Sequence, residues 1–258
     1  KLGRAARGPP PAPHSSLAFE EISSAAGSAW AWEPPPRSRV IYVDAGELSI
    51  EVDPASLASA IVGTGRGERV LAPGTWARVG AGEVIRLPPD ARVALHHDQG
   101  RTPLRAYEVA FTHAAYVGPL QPDPARRARD GADPGARQPE RRVLVDGPAI
   151  DAPPDPVVAA FGRIVLPPGE VVSLAEADGP LLLHVEAGRL VLDTHKAEVD
   201  ADGRQCAGIA ATGRLVPGEA AVVPAGSTAA LRAEDGEPLV VFAVAILSGP
   251  AALEGDAA

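Results

Sequence analysis

His96 and His97 come nearest, by type and spacing, to a pair that could do metal chemistry. Neighbours along a strand point to opposite faces, so the two can ligate one ion only where a strand ends. Asp98-Gln99-Gly100 directly after them is such an ending. The alternative makes them two polar residues at a strand end. Trp30 and Trp32 flank Ala31, which puts both indoles on one face, in a core or as a stacking platform for a sugar or other ring. His14, His113, His184 and His195 stand alone in the sequence and read as surface or packing residues. Cys206, the single cysteine, cannot close an internal disulfide and lies in a polar, Gly-containing stretch without a nearby His. Glu20-Glu21 and Glu234-Asp235 read as solvated charges at turns or strand edges. The chain has no Gly-x-Ser-x-Gly elbow, no Gly-rich phosphate loop ahead of a helix and no His-Glu-x-x-His.

The elements that must carry these residues come in two copies. Residues 19–50 lie over residues 161–192 at a constant offset of 142: Phe19 meets Phe161, Ile22 meets Ile164, Gly46 meets Gly188 and Leu48 meets Leu190. Downstream, Gly82-Glu83 and Pro88 answer Gly218-Glu219 and Pro224, and Pro103-Leu104 and Val109-Ala110 answer Pro238-Leu239 and Val244-Ala245. The 27 Gly and 28 Pro leave little room for long helices. Apolar segments are short, rich in Val, Ile and Leu, and bounded by turn residues, as in residues 39–43, 82–87, 163–166 and 238–247. The expected class is therefore all-β. The insertions Asp53 to Pro73 and Asp193 to Gly213 read as excursions at a barrel end, the first with a short helix around Ala55 to Ile61.

Pro167-Pro168-Gly169, the strand Leu181 to Leu192 through Glu186-Ala187-Gly188, and Gly218 to Gly226 with Pro224 between resemble the two motifs of the cupin superfamily. Asp44 to Leu48 and Gly82 to Asp90 look like a worn copy of the same motifs. The resemblance implies a bicupin of two tandem antiparallel jelly-roll barrels. It further implies where a metal would sit, since cupins that do chemistry usually hold one with two His, a Glu and a further His. In the second module those positions fall on Ala175, Ala177, Leu181 and Ala229; in the first, on Glu33, Pro35, Arg39 and Val93. A transition-metal site needs about three or four N, O or S donors at roughly 2.0–2.3 Å, and Ala, Leu, Val and Pro offer none. No metal and no other cofactor is expected. The expected pocket lining is Glu33, Arg39, Val93, His97, Trp30 and Trp32 in the first module and Ala175, Ala177, Leu181 and Ala229 in the second.

A formal charge of -9 opposes non-specific binding to nucleic acid, which depends on a basic surface. The longest apolar run has about half the residues of a membrane-spanning helix. The expected layout is an arm over residues 1–16, a barrel over 17–117, a Pro/Arg-rich linker over 118–142 wrapped on the surface, a barrel over 143–250 and a tail over 251–258. A phosphate or anionic-polymer site is an alternative reading of the linker. The Pro-rich arm and the lack of any Met suggest secretion after processing. The leading functional expectation is a non-catalytic, metal-free bicupin that binds a small apolar or sugar-like ligand or serves as a structural scaffold, pairing with further copies through sheet edges. The alternative is a metal-independent sugar isomerase or epimerase in the first barrel. It would use Glu33, Arg39 and His97 and requires Glu33 and His97 to converge.

Overall fold

Alternating apolar residues and frequent turn signals give nineteen strands and no helix among the described residues of the computed structural model, which are 16–32, 37–64, 67–88, 91–97, 102–112, 139–147, 157–175, 179–199 and 205–248. The first barrel contains β1 (Ser16–Ser24), β2 (Ser28–Trp32), β3 (Arg37–Ala45), β4 (Glu47–Val52), β5 (Ala60–Thr64), β6 (Gly67–Leu71), β7 (Trp76–Gly80), β8 (Val84–Leu87), β9 (Val93–His97), β10 (Leu104–Thr112) and β11 (Glu140–Gly147). Its two sheets run β11-β1-β10-β3-β8-β5-β6 and β2-β9-β4-β7. The second contains β12 (Val157–Leu166), β13 (Val171–Leu174), β14 (Leu181–Ala187), β15 (Leu190–Val199), β16 (Gln205–Leu215), β17 (Ala220–Val223), β18 (Ser227–Ala233) and β19 (Leu239–Ser248). Its sheets run β12-β19-β14-β17 and β13-β18-β15-β16. The order β1-β10-β3-β8 thus recurs as β12-β19-β14-β17, so the sequence repeat is a repeat of strand order. The expected pair of antiparallel jelly-roll barrels is what folds.

Each barrel closes on its own hydrocarbon core. Ile22, Ile41, Val43, Leu48, Ile50, Val62, Val79, Ile85 and Leu95 fill the first, contributed by both of its sheets. Leu183, Val185, Leu190, Leu231, Leu239 and Val241 fill the second. The repeat extends to the face turned away from these cores. There Phe19 and Tyr107 lie 6.0 Å apart between ring centroids, and Phe161 and Phe242 repeat the pair at 6.2 Å.

Gly46 and Gly188 show why the repeat keeps its glycines. Both have positive φ, at 80° and 75°. A Cβ on Gly46 would lie 2.9 Å from the Pro103 carbonyl oxygen, and one on Gly188 2.5 Å from that of Pro238. The repeated Gly and the repeated Pro-Leu are therefore two sides of one backbone contact. The turn before β8 recurs in the same detail. Gly82 donates to the Val43 carbonyl and Gly218 to that of Val185, both at 2.8 Å. Glu83 accepts from the Gly80 N–H at 2.7 Å and Glu219 from the Val216 N–H at 2.9 Å.

Three expectations about the chain's layout need correction. The segment Ala55 to Ile61 is a turn leading into β5 and holds no helix. The Ala55 N–H donates to Asp53 Oδ1 at 2.6 Å, and Ser56 Oγ donates to the Ala58 carbonyl, so side chains take the polar groups that a helix would have paired. The linker does not run to residue 142, because β11 begins at Glu140. Nor does the second barrel begin at 143. β11 pairs antiparallel with β1, Glu21 opposite Arg142 and Phe19 opposite Val145, and residues 16–147 form one compact unit. The physical reason is an open edge: β1 needed a strand partner, and the segment around the apolar run Val143-Leu144-Val145 supplied it.

Candidate functional site

Alternation along β10 places Leu104, Ala106, Glu108 and Ala110 on the face that carries the first barrel's core, and Glu108 is buried there. Its pairing partner on β1 is Glu20, directly opposite, and on β3 Ile41. Two carboxylates facing each other across an antiparallel pair repel unless a cation intervenes. Arg141 of β11 intervenes. Its Nη1 donates to Glu20 Oε2 at 2.7 Å and its Nη2 to Glu108 Oε2 at 3.2 Å. Arg39 of β3 completes the group, its Nε 3.4 Å from Glu108 Oε1, with 12% of its side chain exposed against 4% for Glu108. Two cations and two anions thus form a balanced quartet on the inner face of one sheet.

Burial pushes the Glu108 carboxyl above its ordinary value, and this outweighs the opposing pull of Arg39 and Arg141; Glu20 adds a smaller push upward. Glu108 therefore holds a proton at a higher pH than an exposed glutamate does.

Among its described residues the second barrel has nothing comparable. The residues equivalent to Glu20, Arg39 and Glu108 are Gly162, Leu181 and Ala243, fixed by the matching pairs Gly162–Ala243 and Leu181–Ala245 against Glu20–Glu108 and Arg39–Ala110. Leu181 and Ala243 pack with its apolar core.

The expected lining residues divide as follows. Val93 and Ala229 are buried in the two cores, and Leu181 packs against the second, so these three positions face inward. Arg39 does too, in the quartet. Register sets Trp30 opposite Leu95 and Trp32 opposite Val93. Glu33 and Ala177 lie outside the described residues. Ala175 follows β13 and is exposed, so it lines no pocket. Its strand has already ended.

His97 is buried but is not a partner of Arg39. Its Nδ1 lies 3.0 Å from the Ala25 carbonyl oxygen and its Nε2 3.2 Å from that of Thr102. A neutral imidazole donates to one of the two. The ring thereby fastens the β1–β2 turn to the start of β10, where Leu104 pairs with Ser24. Arg39 pairs with Ala110, six residues further along β10 and about 20 Å away at strand rise. The two belong to opposite ends of the barrel. His184 faces away from the core, as alternation predicts, and is buried with Nδ1 3.3 Å from the Glu219 carbonyl oxygen.

Two further readings change. Glu20 is not a solvated edge charge, since it is ion-paired within the sheet. Arg141, assigned by sequence to a surface linker, reaches the same cluster. Glu108 was visible in principle, as a lone charge at an inward position of an apolar strand. Arg141 was not, because its role depends on a strand pairing across 121 residues. Among the described residues, no three His, Cys, Asp or Glu side chains are grouped as a metal ion would require.

No protein-family model matches this sequence, and no curated protein does. Solved structures do. An oxalate decarboxylase studied for its substrate binding mode and a switch in reaction specificity has a TM-score of 0.51 at 12% identity, with 92% of this chain and 70% of that chain covered. The Bacillus subtilis oxalate decarboxylase at pH 4.6 gives 0.50 at 12% identity, covering 90% and 68%. The Lactobacillus farciminis enzyme in its formate complex gives 0.50 at 11%, covering 90% and 79%. At these identities the likeness is one of fold, two antiparallel jelly-roll barrels in one chain.

Proposed function

We propose that this chain is a non-catalytic scaffold of two cupin barrels, with the first barrel holding a small ligand and the second serving as a packed structural unit. The observation that carries this reading is the chemistry at the inward positions. Val93, Leu181 and Ala229, where the cupin motifs would place metal ligands, are hydrocarbon and are absorbed into the cores. The inward charges described in the first barrel neutralise one another. Among the described residues the quartet groups four charged side chains on the inner face, and a preference for a ligand such as a sugar would rest on them. The experiment is elemental analysis of the full chain produced with iron, manganese, nickel and zinc supplied. The expected content is far below one metal per chain; near-stoichiometric metal overturns the reading.

One observation favours a second reading, metal-independent proton transfer in the first barrel. Glu108 is a buried carboxyl whose proton is held to a higher pH than that of an exposed glutamate, and it lies beside Arg39, a donor suited to a developing negative charge. In that case Glu108, rather than Glu33, is the acid. Deuterium incorporation into a sugar substrate in heavy water, abolished by Glu108→Gln, would support it. Incorporation that survives the substitution would end it.

A further inference from the structure

Trp76 is the one Trp, Phe or Tyr left exposed among the described side chains, with a relative exposure of 65%. It opens β7, the edge of the sheet β2-β9-β4-β7, and alternation turns it away from the core. Register sets it in a grid on that outer face. Trp76, Glu51 and Ala94 stand side by side in one row, and Arg78, Ser49 and His96 in the next. The grid is about 10 Å wide over three strands and about 7 Å deep over two rows. Ala94 and Ser49 are short and half-buried, so the indole rises beside a low floor. The repeat supplies a comparison. The matching sheet β13-β18-β15-β16 has Thr212, Asp193 and Ala230 in one row and Arg214, Val191 and Arg232 in the next. There the acid is satisfied within the sheet, because Thr212 Oγ1 donates to Asp193 Oδ1 at 2.6 Å. In the first barrel an indole takes the place of that hydroxyl, and among the described residues Glu51 has no hydrogen-bond or ion-pair partner.

We propose that this outer face binds one ring of an uncharged sugar, whose C–H face stacks on Trp76 while Glu51 accepts hydrogen bonds from its hydroxyls. A pyranose is apolar on its ring face and polar around its edge, and an indole with an unpaired acceptor beside it matches both. Glu51 opposes an anion at this place, and Arg78 in the adjoining row opposes a cation, so the ligand is neutral. Area argues against a protein partner. A stable interface covers about 800 Å² on each side, and the grid offers about a tenth of that. The site is separate from the quartet, which lies on the inner face of the other sheet, and does not depend on a ligand there.

The test uses the full chain, with methyl β-glucoside, methyl β-galactoside and methyl α-mannoside at millimolar concentrations as probes. Saturation-transfer NMR should show magnetisation passing from the protein to the ring C–H protons of at least one of them. Trp76→Thr gives this row the residue of its counterpart and should weaken that binding at least about tenfold, whereas Trp76→Phe keeps a ring and should hold it within a few-fold. Thermal unfolding of both variants should match wild type, because the side chain is exposed. Binding that survives Trp76→Thr overturns the proposal; if it is then lost in Glu108→Gln, the sugar belongs to the inner face. Choline binding in place of every sugar, or no transfer to any of the three, overturns it as well.

Discussion

Arg141 is the residue on which the first barrel's inner electrostatics turn. It is the cation common to Glu20 and Glu108, so Arg141→Ala leaves two opposed carboxylates with Arg39 alone. Breaking a fully buried pair costs about 3–5 kcal/mol. With 33% of the Arg141 side chain in water, a loss of about 2–3 kcal/mol in urea unfolding is the expected result. Glu108 adds a dependence on pH. Its carboxyl is raised in the fold, so its contribution to stability is complete below the ordinary carboxylate range and is lost as the pH climbs through the raised value. Glu108→Gln removes this dependence. Relative to wild type, the variant should therefore gain stability as the pH climbs from the ordinary carboxylate range through the raised value, whichever protein is the more stable at the start. A constant difference across that window would mean that Glu108 titrates as an exposed acid does.

At the level of strands and turns, the glycine contacts separate conformational cost from steric cost. Gly46 and Gly82 have nearly the same φ, 80° and 87°, but only Gly46 faces backbone at contact distance. Alanine at Gly82 should cost about 1–2 kcal/mol for the left-handed conformation. Alanine at Gly46 should cost at least about 1 kcal/mol more, because the Pro103 carbonyl cannot yield without moving β10. Denaturant midpoints of the two variants check this ordering. The same contacts explain why the fold was legible in the sequence. Gly46 with Pro103-Leu104 and Gly188 with Pro238-Leu239 are each a local requirement of a turn, repeated at matching places in both copies. The inward positions of Arg39, Val93, Leu181 and Ala229 are those that the resemblance to the cupin motifs implies. Glu108 is legible only as a lone charge at an inward place in β10, which motif spacing does not mark. β11 is marked locally by no more than Val143-Leu144-Val145, set among charges typical of linkers, and its partner is fixed by tertiary pairing.

For the molecule as a whole, two folding units replace the boundaries that the repeat suggests. Hydrogen exchange of the full chain under mild denaturant should group the amides of residues 140–147 with those of 16–112, since β11 is hydrogen-bonded to β1. Exchange of that segment in step with β12 to β19 would contradict the pairing. The doubled chain has thus become unequal inside: one copy carries a charged quartet and the other Gly162, Leu181 and Ala243 at three of the same places. The fourth member comes from outside the repeated module. Grafting the three charges into the second copy would strand a surplus anion in hydrocarbon, because no described strand there occupies the place from which a donor could reach across. A transplant of this polar group has to bring its flanking ribbon with it.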